Sequence, residues 1–314
     1  MKSALLITVA LGAAAVAVIA QQPSTVQPQQ PVVPDDAGRI IMDVTRVNIL
    51  FSVSDKRGRF ITDLKKEDFE VFEGKNRQSI AEFMSESDLP LRLAILVDTS
   101  NSIRDRFKFQ QEAALEFLRQ VMRPKVDRAI VVGFDTEAAL VADLTDNLGD
   151  LEKGVRNLRP GGGTSLYDAI FFACRDKLSK DQPRHKFRRA MIIISDGDDN
   201  NSRYSRDQAL EQAHKADVVI YSISTNISRN QSDGDKILNY FAVETGGITF
   251  FPFKVDDLTQ HFENIANELR HQYNIFYRPE PLKADGLYHA VDVKVRGRKF
   301  MVVRARKGYY APRM

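Results

Sequence analysis

Five oxygen-bearing side chains in this sequence are spaced so that they can hold a hard cation. Asp98, Ser100 and Ser102 alternate along Asp98-Thr99-Ser100-Asn101-Ser102, which directly follows the apolar run Leu93-Ala94-Ile95-Leu96-Val97. Thr164 lies in Gly161-Gly162-Gly163-Thr164-Ser165, a glycine-rich turn expected to be exposed, and Asp196 follows a second apolar run, Ala190-Met191-Ile192-Ile193-Ile194-Ser195. Such runs read as strands buried on both faces of a parallel sheet, in which ligands bind beyond the carboxyl ends of the strands. One carboxylate and two hydroxyls on alternate residues of a strand-to-helix turn can converge on one point, and divalent ions such as Mg²⁺ choose oxygen ligands. A lone Asp-x-Ser-x-Ser is a weak signal, because both residue types are common in turns and helix caps. Capping alone does not call for Thr164 and Asp196 as well.

Together, Asp98-x-Ser100-x-Ser102, Thr164 in a glycine-rich turn and Asp196 before Gly197 resemble the metal-ion-dependent adhesion site (MIDAS) of von Willebrand factor type A domains. The resemblance covers roughly residues 90 to 272, with all the motif positions in family order. It implies a bound Mg²⁺, with Mn²⁺ or Ca²⁺ as alternatives. It further implies that Ser100 and Ser102 coordinate directly, while Thr164, Asp98 and Asp196 act directly or through waters. A partner protein's Asp or Glu carboxylate would complete the coordination. Helix N-termini expected after Ser102 and Thr164 would aim positive dipole ends at the same anion. That is binding without catalysis. The alternative from another class is an envelope assembly or scaffold factor whose domain works without a metal-bridged ligand.

Enzymatic readings are poorly supported. A phosphotransferase with Asp98 as nucleophile usually needs a second acid two residues on, where Ser100 stands. There is no G-x-S-x-G turn, and the glycine-rich turn lacks the lysine of a phosphate-binding loop. His185, His214, His261, His271 and His289 show no H-E-x-x-H spacing for zinc. Asp196 to Asp207 superficially resembles a calcium loop, but Asn201 stands where the sharp turn needs Gly, so a solvated acidic loop is expected. The basic cluster Arg184-His185-Lys186-Phe187-Arg188-Arg189 is likewise expected to be a solvated loop. A net charge of +3 over 314 residues gives no support for a nucleic-acid binder, and no small-molecule substrate is indicated.

The elements that must position the five residues alternate strand and helix from residue 89 to 272, which predicts a doubly wound, mainly parallel, Rossmann-like α/β sheet. On either side the pattern changes to period two, as in Val44 to Val53, Phe69 to Glu73 and His289 to Val295. Neither flank, 39–88 nor 273–314, is long enough to bury a core alone. They are expected to pair into one small β-sandwich with the α/β domain inserted between them, the C-terminal strands forming a meander. Residues 1–20, with Lys2 and an apolar run from Ala4 to Ala20, read as a signal peptide, and 21–38 as a Gln/Pro-rich disordered linker. The protein is therefore expected to be exported, periplasmic or secreted, with an uncleaved membrane anchor as the alternative. Cys174, the one cysteine, sits in an apolar helix and reads as a small buried hydrophobe.

Overall fold

The computed structural model describes residues 46–85, 89–181, 186–226, 228, 230–252, 258–298 and 300–313. The expected signal peptide and linker lie outside them. The chain begins with four strands, β1 (Val47–Ser54), β2 (Phe69–Glu73), β3 (Asn76–Gln78) and β4 (Ile80–Met84). The α/β region follows as β5 (Leu91–Asp98), α1 (Phe107–Val121), β6 (Arg128–Phe134), β7 (Ala138–Thr145), α2 (Leu148–Asn157), α3 (Leu166–Phe172), β8 (Arg188–Ser195), α4 (Arg206–Lys215), β9 (Val218–Ser224), α5 (Asp233–Thr245), β10 (Thr249–Phe250) and α6 (Leu258–Arg270). Four strands end the chain: β11 (Tyr273–Tyr277), β12 (Tyr288–Val295), β13 (Val302–Ala305) and β14 (Gly308–Tyr310).

The central sheet has six strands in the order β10-β9-β8-β5-β6-β7. All its pairings are parallel except β6 with β7. All eight residues of β5 and of β8 are buried, because helices cover both faces. Side-chain alternation divides β5 between two cores. Leu91, Leu93, Ile95 and Val97 pack with Phe117, Leu118, Leu151 and Phe262 from α1, α2 and α6. Ala94 and Leu96 face Leu166, Ile170, Leu210 and Phe241 from α3, α4 and α5. β5 lies between β8 and β6 in the sheet, so the chain leaves it for the site loops from the middle of the fold.

The flanking strands form two antiparallel sheets, β13-β1-β11-β4 and β14-β12-β2-β3, and each mixes strands from both ends of the chain. Between them lies a third core, in which Ile49, Phe51, Phe69 and Val71 meet Tyr273, Ile275, Val291 and Val293. Its centre is aromatic: Phe51 and Phe69 are edge-on at 5.1 Å between centroids, and Tyr273 lies 5.6 Å from Phe51 and 5.7 Å from Phe83. The Tyr273 hydroxyl donates to Ile61 O and accepts from Leu64 N, so its polar end is satisfied inside the sandwich. Glu268 of α6 accepts hydrogen bonds from Ser52 Oγ (2.5 Å) and Arg304 Nε (2.9 Å), which ties the last helix to β1 and β13.

Three expectations need correction. The C-terminal strands are no meander: β11 and β13 lie in one sheet and β12 and β14 in the other, so the chain crosses the sandwich at each connection. The basic cluster is not a solvated loop at its end, where Arg188 and Arg189 open β8 at 1% and 2% exposure. Arg189 donates to Leu178 O and Asp181 O, and Arg188 to Leu269 O and Gln272 O, so these guanidiniums satisfy carbonyls at the lower edge of the sheet. The acidic loop after Asp196 is also more than solvated surface. Asp199 Oδ2 accepts from Tyr167 N and Ser202 Oγ, and Asp168 Oδ1 accepts from Arg203 N and Tyr204 N, which binds the loop to α3. Cys174 is fully buried, and burial pushes its thiol well above the usual range.

Two outcomes follow from this packing. Ile193→Ala leaves a cavity in the core between the sheet and α3 to α5, and should lower stability by about 2–5 kcal/mol in a urea titration. A peptide of residues 46–85 lacks both strands that pair with β1, namely β11 and β13, and should show the amide spectrum of an unfolded chain. Dispersed amide signals from that peptide alone would contradict the shared sandwich.

Candidate metal centre

Asp98 is the last residue of β5 and is fully buried. Its carboxylate turns back on the chain that follows: Oδ1 accepts from Ser100 N at 2.8 Å, and Oδ2 accepts from Ser195 Oγ at 2.6 Å. Ser195 is the last residue of β8 and also accepts from Gly197 N at 2.9 Å. One hydroxyl therefore couples the ends of two adjacent strands. The Ser100 and Ser102 hydroxyls lie 2.9 Å apart, and Ser102 Oγ donates to Asp196 Oδ2 at 2.8 Å. Asp98, Ser100, Ser102 and Asp196 are thus joined in one short hydrogen-bonded chain, its first link through the Ser100 backbone N–H and the others between side-chain oxygens.

Thr164 arrives from a different loop. Gly161 N donates to Thr99 O and Asn101 N to Gly162 O, which lays the glycine-rich turn along the Asp98–Ser102 segment. Gly162 has φ +72°, and a Cβ there would meet Thr136 Oγ1 at 2.5 Å, so the turn takes only glycine at that position. On its other side, Thr164 O accepts from Asn200 N and Asn201 N, while Thr164 N donates to Asn200 Oδ1. Thr164 is 2% exposed, where an exposed turn was expected. Ser100 is as buried, and Ser102 is exposed.

A second glycine pair holds the Asp196 loop. Gly197 has φ +84°, and its Cα and that of Gly234 press against each other's backbones so closely that neither accepts a side chain. Gly234 belongs to the first turn of α5, where Ser232 and Asp235 form a reciprocal capping box. Burial pushes Asp235 up, but hydrogen bonds from Ser224, Ser232 and Asn226 outweigh it and hold its carboxyl below the usual range. The first of these anchors, Ser224, ends β9, so three neighbouring strands end in contacts that shape the site.

Electrostatics set Asp98 apart. Burial pushes its carboxyl up to about 6, with the like charge of Asp196 adding to the shift and the bonds from Ser195 and Ser100 opposing it. A fully buried carboxylate with a second acid beside it is short of positive charge, and the surrounding donors are all oxygen. That donor set fits a hard divalent cation. Nearby α3 starts at Leu166, directly after Thr164-Ser165, and Ser165 Oγ is buried without a hydrogen-bond partner among the described residues. The other expected helix N-terminus is displaced: a 3₁₀ turn over Arg104–Arg106 separates Ser102 from α1, which starts at Phe107.

Residue reasoning passed over Ser195, Gly234 and Asn200. A hydroxyl at the end of an otherwise apolar run was a usable signal for Ser195. Gly234 and Asn200 act only through backbone approach and loop pairing, which spacing along the chain does not encode. Among the described residues no group of three or more His, Cys, Asp or Glu side chains could hold a metal, so any ion here depends on the hydroxyls.

The von Willebrand factor type A domain family matches residues 93–198, a span that contains all five candidate residues. No curated protein compared with the sequence matches it. Among solved structures, a von Willebrand factor type A protein from Catenulispora acidiphila is similar, with a TM-score of 0.50 at 13% identity over 78% of this chain and 73% of that one. BatB of Bacteroides thetaiotaomicron gives a TM-score of 0.46 at 14% identity, covering 57% of this chain and 98% of that one. The proximal thread matrix protein 1 of the mussel byssus, described with a zinc-occupied MIDAS motif, gives 0.48 at 18% identity, and this chain covers 48% of its length. Residues 93–198 of the chain thus match a von Willebrand factor type A domain.

Proposed function

We propose that this protein is an exported interaction module that captures an acidic side chain of a partner protein through a divalent cation held by Asp98, Ser100, Ser102, Thr164 and Asp196. The observation that carries this reading is the hydrogen-bonded chain from Asp98 through Ser100 and Ser102 to Asp196, built on a buried carboxylate. The domain family, whose members are generally interaction modules and not enzymes, supports the class. When bound, a cation such as Mg²⁺ supplies a coordination position that takes a carboxylate oxygen. The chain's own residues do the rest. Asp98 and Asp196 supply negative charge, the serine hydroxyls supply neutral donors, and the glycine-rich turn presents the buried Thr164. Two carboxylates at most balance a divalent charge, and contact through waters leaves the ion partly unneutralised, so a partner's carboxylate is still attracted. The apolar segment before Ala20 fits export, with the partner in the periplasm or outside the cell.

Ser102→Ala tests the site with the least disturbance to the fold. The residue is exposed, so stability should change by no more than about 0.5 kcal/mol. Affinity for Mg²⁺ or Mn²⁺ by calorimetry should fall roughly ten- to a hundredfold, the scale of 1.5–3 kcal/mol for bonds to charged groups. Equal ion affinity in the two proteins would remove Ser102 from the site. Partner capture is tested by pull-down from an envelope extract with Mg²⁺ and with EDTA. Recovery of the same partner in both would favour the scaffold reading.

The pH dependence has a definite sign. Raised to about 6 in the fold, Asp98 prefers its proton there more than in the unfolded chain, where the value is 3.8. Its contribution to the metal-free fold therefore worsens as pH rises from about 4 to 6. Above pH 6 it amounts to about 3 kcal/mol against folding. Ion binding needs the carboxylate, so Mg²⁺ should raise the melting temperature markedly at pH 7.5 and much less at pH 5. An equal shift at both pH values would show that Asp98 does not face the ion.

A further inference from the structure

Where the α/β domain meets the sandwich, a cavity of about 20 Å³ is lined by Asn48 and Leu50 of β1, by Ala213 and His214 of α4, by Asp217, Val218, Val219 and Thr245, and by Arg306. Three of its lining residues carry buried polar atoms with no hydrogen-bond partner among the described residues: Asn48 Oδ1, Arg306 Nε and both ring nitrogens of His214. His214 is 3% exposed, and its ring is covered by Tyr288 at 5.5 Å and Tyr310 at 6.3 Å between centroids. The rest of Arg306 is engaged, since it donates through Nη1 to Asp217 Oδ1 and through Nη2 to Asn48 O. Nothing in the proposed metal chemistry uses these groups.

We infer that this cavity is a built site for one buried water molecule, which joins α4 to β1 and to the segment between β13 and β14. A cavity needs about 10–15 Å³ to hold one, and buried waters take two to four polar partners. The unpartnered set contains a donor that cannot accept, Arg306 Nε–H, and an acceptor that cannot donate, Asn48 Oδ1. A halide satisfies only the first and a metal cation only the second, whereas water accepts from one and donates to the other. The Arg306–Asp217 ion pair leaves no net charge to attract an ion. Burial and the charge of Arg306 hold His214 down to about 3, so its imidazole is neutral, with one N–H and one lone pair. Water pairs with either. Left dry, each of these buried groups would carry its own desolvation penalty at a seam where the α/β domain, β1 and the C-terminal segment meet.

The experiment is a high-resolution crystal structure of the intact chain. It should show a single water peak within hydrogen-bonding distance of Arg306 Nε and Asn48 Oδ1, with His214 as a further partner. An empty cavity, a halide or metal peak, or direct bonding between these side chains would overturn the assignment. In solution, a long-lived water should give a cross-relaxation signal to the His214 ring protons in the wild type. In His214→Phe and Asn48→Leu, measured at the ring protons of Tyr288 and Tyr310, the water signal should be lost. A wild type without the signal, or variants that fold and retain it, would overturn the inference equally.

Discussion

The geometry of the candidate centre depends on a single buried carboxylate. Asp98 stands at the end of a strand with no exposed residue, and an ionised group at such a position is costly unless it is bonded or neutralised. The fold supplies bonds from Ser195 Oγ and Ser100 N. Those two bonds also give the site its shape. The first fixes the spacing between the ends of β5 and β8, and the second folds the following segment so that Ser100 and Ser102 turn toward Asp196. Together they leave the charge of Asp98 partly uncompensated, as its raised pKa shows. A site that had satisfied the carboxylate fully with protein donors would have little reason to attract a cation.

The loops that complete the site are held by backbone contact more than by side chains. Backbone hydrogen bonds from Gly161 N to Thr99 O and from Asn101 N to Gly162 O hold the Thr164 turn along the Asp98–Ser102 segment, Gly162 packs on Thr136, and the Gly197–Gly234 contact seats the Asp196 loop on the first turn of α5. A side chain at any close contact would push two loops apart, and the oxygens they carry would cease to converge. α5 is fixed in turn by its capping box and by Ser224 at the end of β9. Placement of the donors therefore rests on strand ends, as expected of a site built on rigid elements.

Most of this was legible in the sequence because the signals are local. A strand buried on both faces has to be apolar without interruption, and Leu93–Val97 and Ala190–Ile194 are. A half-buried strand alternates, and Phe69–Glu73 does. Four of the five candidate residues were visible because they follow such an apolar run, and Thr164 because it closes a glycine-rich turn. What stayed hidden was set by contacts between distant segments. The period-two strands announced a sandwich without saying which strand joins which sheet, since alternation reports one buried face and not the neighbour across it. Arg188 and Arg189 looked like solvated charge because their partners are backbone carbonyls of Leu178, Asp181, Leu269 and Gln272, which no side-chain pattern reveals. Thr164 looked exposed because a glycine-rich turn usually is, yet here Asn200 and Asn201 close over it.

The insertion of the α/β domain in the sandwich has its own physical logic. β11 follows α6 after only His271 and Gln272, and it is a central strand of its sheet, paired with β1 on one side and β4 on the other. Glu268, near the end of the same helix, is bound by Ser52 of β1 and Arg304 of β13. The sandwich thus cannot assemble without the end of α6, and α6 cannot shift along its axis without disturbing a buried carboxylate and the strand that follows it. Burying Glu268 would be unfavourable in isolation, and its bonds to Ser52 and Arg304 make it tolerable only when both domains are in register. The charge works against stability and in favour of one relative placement. That placement holds the site-bearing ends of β5 and β8 on a body to which both chain flanks contribute.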